Sequence, residues 1–200
     1  MYLENGNVNS KTKLILAHGA GAPMDSPFMD YFAEKLAGDD LHVIRFEFPY
    51  MQERRENGKK RPPNKQDILL ACWRQLIADF AGADRLFIGG KSMGGRMASL
   101  VADEGGVSGL VCLGYPFYAI GKLDKPRIEH LKTLKCPTLV VQGERDSMGN
   151  RDAVERYDLS DNVKVYWTED GDHSFKPRKA SGRTEIENWD AAIDAVKQFI

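Results

Sequence analysis

The chain alternates short apolar runs with longer amphipathic stretches. Six largely apolar runs, each bounded by polar or turn residues, are typical of buried strands. They lie at residues 14–17, 43–46, 86–89, 109–113, 138–141 and 163–167. The segments between most of them repeat apolar residues at helical spacing, which predicts amphipathic helices. This alternation predicts an α/β protein with a mainly parallel sheet of about six or seven strands and helices on both faces.

Capping residues place the ends of several predicted helices. Ser26 followed by Pro27 predicts a helix start, and Asn64 is predicted to cap the helix that runs to residue 80. Thr184 and Glu187 form a capping-box pattern at the start of the last helix. In the helix that Asn64 is predicted to cap, the predicted buried stripe is Ile68, Leu69, Cys72, Trp73, Leu76, Ile77 and Phe80. In the last helix it is Ile186, Trp189, Ile193 and Val196. No linker or repeat interrupts the pattern, so residues 1–200 are predicted to form one domain.

Composition narrows the class of protein. With 42% hydrophobic and 28% charged residues and a formal net charge of −1, the chain has no global field that would attract nucleic acid or a membrane surface. The N-terminus has no signal-peptide pattern and no run reaches membrane-spanning length, so we expect a cytoplasmic protein. Cys72, Cys112 and Cys136 lie in apolar stretches without metal-binding spacing. We therefore expect reduced thiols and neither a metal nor a cofactor.

A G-x-S-x-G run is the main chemical motif. Residues 90–94 read Gly-Lys-Ser-Met-Gly and follow directly on the apolar run 86–89. Such a pentapeptide alone is weak evidence, but here a predicted strand precedes it and apolar residues at helical spacing follow it. That context is the one required by a nucleophile elbow, in which a serine lies on a sharp turn with its hydroxyl above the sheet. Ser92 is the predicted nucleophile.

A serine hydroxyl needs a base to remove its proton and a third group to orient that base. Of the four histidines, His42 and His130 are expected to be structural or solvated, and His18 lies in a glycine-rich turn after the first strand. His173 lies in the loop 171–175 after the last predicted strand, where its imidazole can turn toward Ser92. His173 is therefore the predicted base.

Asp146 is the predicted orienting acid because it follows the strand at 138–141. Three other carboxylates compete with it. Glu144 comes too early in the turn, while Asp170 and Asp172 are so close to His173 that we expect them to have loop or turn roles. An acid in the position of Asp146 would accept a hydrogen bond from the imidazole Nδ1.

The oxyanion formed by attack on a carbonyl requires two backbone N–H donors. The residue after the nucleophile, Met93, is the first predicted donor. The second is expected in the loop 18–22, where Ala20 is favoured and Gly21 is the alternative. His18 is then expected to hydrogen-bond the backbone of this loop rather than to take part in the reaction.

Together these segments resemble the α/β-hydrolase superfamily, and in particular its small dienelactone-hydrolase-like members. The resemblance extends over nearly the whole chain, and its residues look most like bacterial hydrolases related to a subunit of a chromatin acetyltransferase complex. It implies a triad of Ser92, Asp146 and His173 in the chain order of that superfamily. Dienelactone hydrolases proper carry cysteine at the position of Ser92, so their substrate is not transferred. Only residues 117–136 lie where larger esterases insert a lid, so no cap domain and an open site are expected.

Three features near the predicted site bear on the substrate. The charged segment 53–63 either attracts an anionic acyl compound or is a solvated loop, the latter being favoured. The aromatic run 115–118 either lines an acyl pocket or packs in the core, and Lys91 faces either solvent or substrate.

The sequence as a whole predicts a hydrolase of a small carboxylic ester or thioester acting through an acyl-serine. The alternatives are an acyltransferase with the same triad and a non-catalytic interaction domain that keeps the hydrolase fold.

Overall fold

Seven strands and six helices follow one another along the part of the chain that the structure, a computed structural model, describes, residues 2–200. The strands are β1 (Tyr2–Asn5), β2 (Thr12–Ala17), β3 (His42–Phe46), β4 (Arg85–Lys91), β5 (Gly109–Leu113), β6 (Thr138–Gly143) and β7 (Val163–Thr168). The helices are α1 (Pro27–Leu36), α2 (Pro49–Asn57), α3 (Gln66–Asp79), α4 (Met93–Ser99), α5 (Arg151–Val154) and α6 (Glu185–Phe199). Three short 3-10 turns lie at Ala102–Glu104, Glu129–Lys132 and Lys179–Ser181.

All seven strands form one sheet in the order β1-β3-β2-β4-β5-β6-β7. Only β1 is antiparallel to its neighbour; every other pair is parallel. The carboxyl ends of β2, β4, β6 and β7 therefore meet at one edge of the sheet, which is where ligands of such sheets bind. The predicted α/β-hydrolase fold class, with its mainly parallel sheet covered by helices, is confirmed.

Two apolar cores cover the two faces of the sheet. One contains Trp73 of α3 and Met97 of α4, and the other contains Phe32 of α1 and Val196 of α6. Strand residues alternate between the two cores, as Ile15 and Leu16 do, because successive side chains of a strand point to opposite faces. The near-continuous apolar runs in the sequence thus reflect burial on both sides.

Three elements were not predicted by the apolar pattern, namely β1, α2 and the four-residue helix α5. β1 carries alternating exposed and half-buried residues at the sheet edge. α2 is strongly polar and buries only Tyr50 and Met51, so its sequence has no apolar residues repeating at helical spacing. It includes residues 53–57 of the charged segment 53–63, for which a solvated loop was the favoured prediction.

The predicted helix starts were partly wrong. α3 begins at Gln66, and Asn64 instead accepts a 2.9 Å hydrogen bond from the Tyr50 backbone N–H. Ser26 does occupy the N-cap of α1, but its side chain makes no capping hydrogen bond. The capping box of Thr184 and Glu187 is present.

The predicted buried stripes also needed correction. Leu69, Trp73 and Leu76 are the buried residues of α3, whereas Ile68 is exposed. In α6, Ile186 is exposed as well.

No helix within residues 2–200 combines the length and apolar character needed to span a bilayer.

Candidate active site

Ser92 lies between β4 and α4 on a turn whose geometry is strained. Its backbone has φ 52° and ψ −115°, a conformation that non-glycine residues rarely adopt. Glycines allow the close packing around it: a Cβ on Gly90 would lie 2.2 Å from the Ala17 carbonyl oxygen, and one on Gly94 would lie 2.6 Å from the same atom. The strand, turn and helix predicted for the G-x-S-x-G run are therefore present, and β2 approaches the turn closely.

Ser92, His173 and Asp146 form one hydrogen-bonded chain at the carboxyl ends of three strands. His173 Nε2 lies 2.9 Å from Ser92 Oγ, and His173 Nδ1 lies 2.7 Å from Asp146 Oδ2. The Asp146 carboxylate accepts on the Nδ1 side, so Nδ1 carries a proton and Nε2 of the neutral ring presents its lone pair to the serine hydroxyl. The structure thus brings together three side chains that span 81 positions of sequence.

The Asp146 carboxylate is fully buried, and protein donors satisfy it. Its Oδ2 also accepts a 2.7 Å hydrogen bond from Gln142 Nε2, and its Oδ1 accepts a 2.8 Å bond from the Met148 backbone N–H. The Gln142 amide in turn bonds both the N–H and the carbonyl of Tyr115. Sequence reasoning missed Gln142; the available signal was a polar residue inside the apolar strand that leads to Asp146.

The three rival carboxylates have other partners. Glu144 pairs with Arg151 and accepts from the Asp170 N–H, and Asp170 binds the Arg178 guanidinium. Asp172 accepts from the backbone N–H groups of residues 174 and 176, which closes the turn around His173. Within residues 2–200 no three His, Cys, Asp or Glu side chains are grouped so as to hold a metal ion.

The loop after β2 is oriented by hydrogen bonds to its carbonyl groups. His18, fully buried, donates from Nδ1 to the Gly19 carbonyl at 2.6 Å and accepts at Nε2 from the Phe48 N–H at 3.2 Å. Burial lowers the pKa of His18, in agreement with a neutral ring. The Tyr50 hydroxyl donates to the Ala20 carbonyl at 3.0 Å.

The bond to the Gly19 carbonyl bears on the direction of the Ala20 N–H, because both groups belong to one peptide. The Gly19–Ala20 peptide is trans, so its N–H points away from the Gly19 carbonyl that His18 holds. Met93 is the first residue of α4, and its N–H lies in the turn that has no helical acceptor. Gly19, Ala20 and Ser92 line the same cleft, so both predicted donors come from segments that border the nucleophile.

The cleft above Ser92 has a volume of about 370 Å³ and mostly apolar walls. It lies between the loop 19–22, the start of α1 at residues 27–29, and the side chains of Ser92, His173 and Lys91. Tyr115, Phe117 and Tyr118 are fully buried in the core, so the interpretation of residues 115–118 as core is correct and the pocket wall comes from α1. A larger cavity of about 420 Å³ lies elsewhere, between β1 and α3.

The basic segment after β3 is only partly solvated. Arg54 donates to the Gly21 carbonyl at 3.0 Å, and Arg55 pairs with Asp25 and with Glu47, each at 2.6 Å. These contacts hold the loop after β2 against α2. The favoured interpretation of residues 53–63 as a solvated loop is therefore wrong for its first part, although residues 58–63 are exposed.

The family of the chain follows from its match over residues 10–200 to a family model described as an alpha/beta hydrolase domain. The chain belongs to the α/β-hydrolase family. A dienelactone hydrolase from Anabaena variabilis has a similar structure (TM-score 0.72, 20% identity, covering 99% of this chain and 89% of that one). So does a lidless α/β serine hydrolase from Xanthomonas campestris (TM-score 0.69, 18% identity, covering 100% and 88%).

A third similar structure is an α/β serine hydrolase homologue from Coxiella burnetii, with TM-score 0.68, 19% identity and coverage of 98% and 89%. At these identities the likeness shows the α/β-hydrolase fold and nothing about the substrate. The finer resemblance to relatives of a chromatin acetyltransferase subunit gains no support from these matches.

Proposed function

We propose that this α/β-hydrolase is a serine hydrolase that cleaves a small carboxylic ester or thioester through an acyl-Ser92 intermediate. The observation that carries the proposal is the chain of 2.9 Å and 2.7 Å hydrogen bonds from Ser92 through His173 to Asp146. A neutral imidazole whose Nδ1 proton is held by a buried carboxylate is poised to accept the serine proton at Nε2.

Acylation begins as Ser92 Oγ attacks the substrate carbonyl carbon and its proton passes to His173 Nε2. Asp146 stabilises the imidazolium that forms, and the N–H groups of Met93 and Ala20 bind the oxyanion. When the tetrahedral intermediate collapses, His173 gives the proton to the departing alcohol or thiol. Water, deprotonated by His173, then attacks the acyl-serine. As this second tetrahedral intermediate collapses, His173 returns the proton to Ser92 Oγ and the carboxylic acid is released.

The cleft favours a small acyl group. Its volume of about 370 Å³ lies near the lower end of ligand sites, which begin at roughly 300 Å³. Its walls beside Ser92 come from residues 20–22 and 27–29, which are mostly apolar. Such a site accommodates a short acyl chain and leaves the alcohol or thiol portion toward the open side.

Intact-mass spectrometry after treatment with a fluorophosphonate tests the proposal. Wild type should gain one adduct, whereas Ser92→Ala and His173→Ala should gain none while keeping the wild-type melting temperature. Ser147→Ala, which changes an exposed serine beside Asp146, is the matched control and should label like wild type. Labelling of folded Ser92→Ala would refute the role of Ser92.

Two other outcomes separate the remaining candidates. A folded wild type that neither labels nor hydrolyses p-nitrophenyl or thioester substrates would favour a non-catalytic interaction domain. If labelling occurs but an added alcohol or peroxide captures the acyl group in preference to water, the protein is an acyltransferase with the same triad.

A further inference from the structure

Lys91 is a buried lysine directly before the nucleophile. It is the last residue of β4 and only 9% exposed. Its Nζ donates a 2.6 Å hydrogen bond to the backbone carbonyl of His173, 82 positions later in the chain. The lysine beside Ser92 is therefore bonded to the main chain of the residue whose ring contacts Ser92.

The surroundings of the ammonium hold it in place. Nζ lies 5.4 Å from the centre of the Phe28 ring and 6.0 Å from that of Phe175, which are distances of cation–π contacts. Gly114, the residue after β5, leaves the space for it. A Cβ there would lie 2.8 Å from Nζ and 2.7 Å from the His173 carbonyl oxygen.

Burial of this charge is unfavourable by itself. Lys91 forms no ion pair within 4.0 Å among residues 2–200, and burial lowers its pKa to about 8, while the charges of Asp146 and Asp172 act in the opposite direction. A buried lysine of this kind adds little to stability, and an apolar side chain of similar length should fold at least as well. Its removal should therefore affect the site more than the fold.

We propose that Lys91 is a positioning residue, whose ammonium fixes the main chain of His173 and so keeps the imidazole within hydrogen-bond reach of Ser92. This inference rests on the proposed function of Ser92 and His173. The neighbouring main chain is held at other residues: Asp170 accepts from the Arg178 N–H before His173, and after it Trp189 donates to the Ser174 carbonyl. The bond from Lys91 thus ties the main chain of His173 to the end of β4, next to the nucleophile.

Lys91→Met is the decisive variant, because methionine keeps the approximate length of the side chain and removes both charge and donor. Loss of a charge-assisted hydrogen bond predicts a fall of about tenfold to 100-fold in kcat and in the fluorophosphonate labelling rate. KM and the melting temperature should change little. Lys176→Met, which removes an exposed lysine from the same loop, should behave like wild type.

A spectroscopic measurement tests the positioning without any substrate. The low-field proton resonance of His173 Nδ1–H, assigned by its loss in His173→Gln, reports the bond to Asp146. We expect this resonance to shift or broaden in Lys91→Met and to persist in Lys176→Met.

The outcomes are distinct. If Lys91→Met keeps its kcat and an unchanged resonance, Lys91 does not position His173 and the inference is wrong. If wild type proves inactive and unlabelled, the proposed function fails, and the resonance alone decides whether Lys91 orders His173. A loss of kcat accompanied by a lower melting temperature and general spectral change would indicate a structural role and also overturn the inference.

Discussion

Gln142 Nε2 donates a 2.7 Å hydrogen bond to the same Asp146 oxygen that accepts from His173. Both residues are fully buried, and the same amide nitrogen also lies 3.2 Å from the Tyr115 carbonyl and 3.1 Å from the Gly149 carbonyl. The amide therefore joins the end of β5 to the turn that holds Asp146. It holds the carboxylate oxygen that also accepts from the imidazole.

Gln142→Met should lower both stability and activity. The Tyr115 N–H would lose its 2.7 Å bond to Gln142 Oε1, and an unsatisfied buried donor costs about 1–3 kcal/mol. For a chain of this size, at about 2–4 °C per kcal/mol, we expect a melting temperature roughly 2–12 °C lower. Catalytic turnover should fall about tenfold as Asp146 loses one donor.

The control for this variant is Gln75→Met. Gln75 lies exposed on α3 and its amide bonds only Asp79 on the same helix, at 2.7 Å. Its melting curve and turnover should match those of wild type. Equal stability of Gln142→Met and Gln75→Met in thermal unfolding would show that the buried amide contributes nothing.

Asp146→Asn should abolish most of the turnover while preserving the fold. An amide oxygen can still accept from Met148 or Gln142, but it no longer supplies the charge that stabilises the imidazolium and sets the tautomer of His173. By analogy with serine hydrolases in general, kcat should fall about 10⁴-fold. Asp172→Asn keeps the acceptor used by the turn and should lose far less activity. Comparable kcat values for the two variants would assign the acid role elsewhere.

Tyr50→Phe should impair turnover without a change in KM. Burial raises the pKa of the Tyr50 phenol, so the hydroxyl stays a donor, and it holds the Ala20 carbonyl at 3.0 Å. Loss of one neutral hydrogen bond that orients the oxyanion loop predicts a kcat roughly three- to tenfold lower. Tyr31→Phe, which removes an exposed hydroxyl bonded to Asp190, is the matched control. Steady-state kinetics with a p-nitrophenyl ester measure both, and an unchanged kcat in Tyr50→Phe would contradict the orienting role.

Local patterns were sufficient to predict the features that depend on neighbours in sequence. The strand before Ser92 and the helix after it follow from a motif whose glycines are required by contacts within the turn and with β2. The order of elements follows from burial on both faces of a parallel sheet. Asp146 and His173 were predicted as partners because both follow strands whose carboxyl ends share an edge.

Features that depend on distant partners could not be predicted from local patterns. α2 has no apolar stripe, and polar contacts hold it in place. Its arginines bond Glu47, Asp25 and the Gly21 carbonyl, which they meet only in the folded chain. Asparagine often caps helices, yet the Asn64 side chain instead accepts a hydrogen bond from the Tyr50 N–H. In each case a long-range hydrogen bond overrides the local preference.

Acid should destabilise the loop that carries His173 through Asp170. The Arg178 side chain, followed by its backbone N–H, lowers the pKa of the Asp170 carboxyl from 3.8 to about 2. Because the folded-state pKa is the lower one, the carboxylate stabilises the fold above about pH 4, and this contribution is lost as the pH falls toward 2.

Asp170 has φ 49°, which asparagine tolerates, so Asp170→Asn removes the charge without adding backbone strain. We expect the variant to melt below wild type at neutral pH and the difference to shrink as the pH falls from about 4 to 2. Thermal unfolding followed by circular dichroism across this range measures it, with exposed Asp124→Asn as the control. A difference between Asp170→Asn and wild type that stays constant with pH would show that the ionised carboxylate is not the source of the stabilisation.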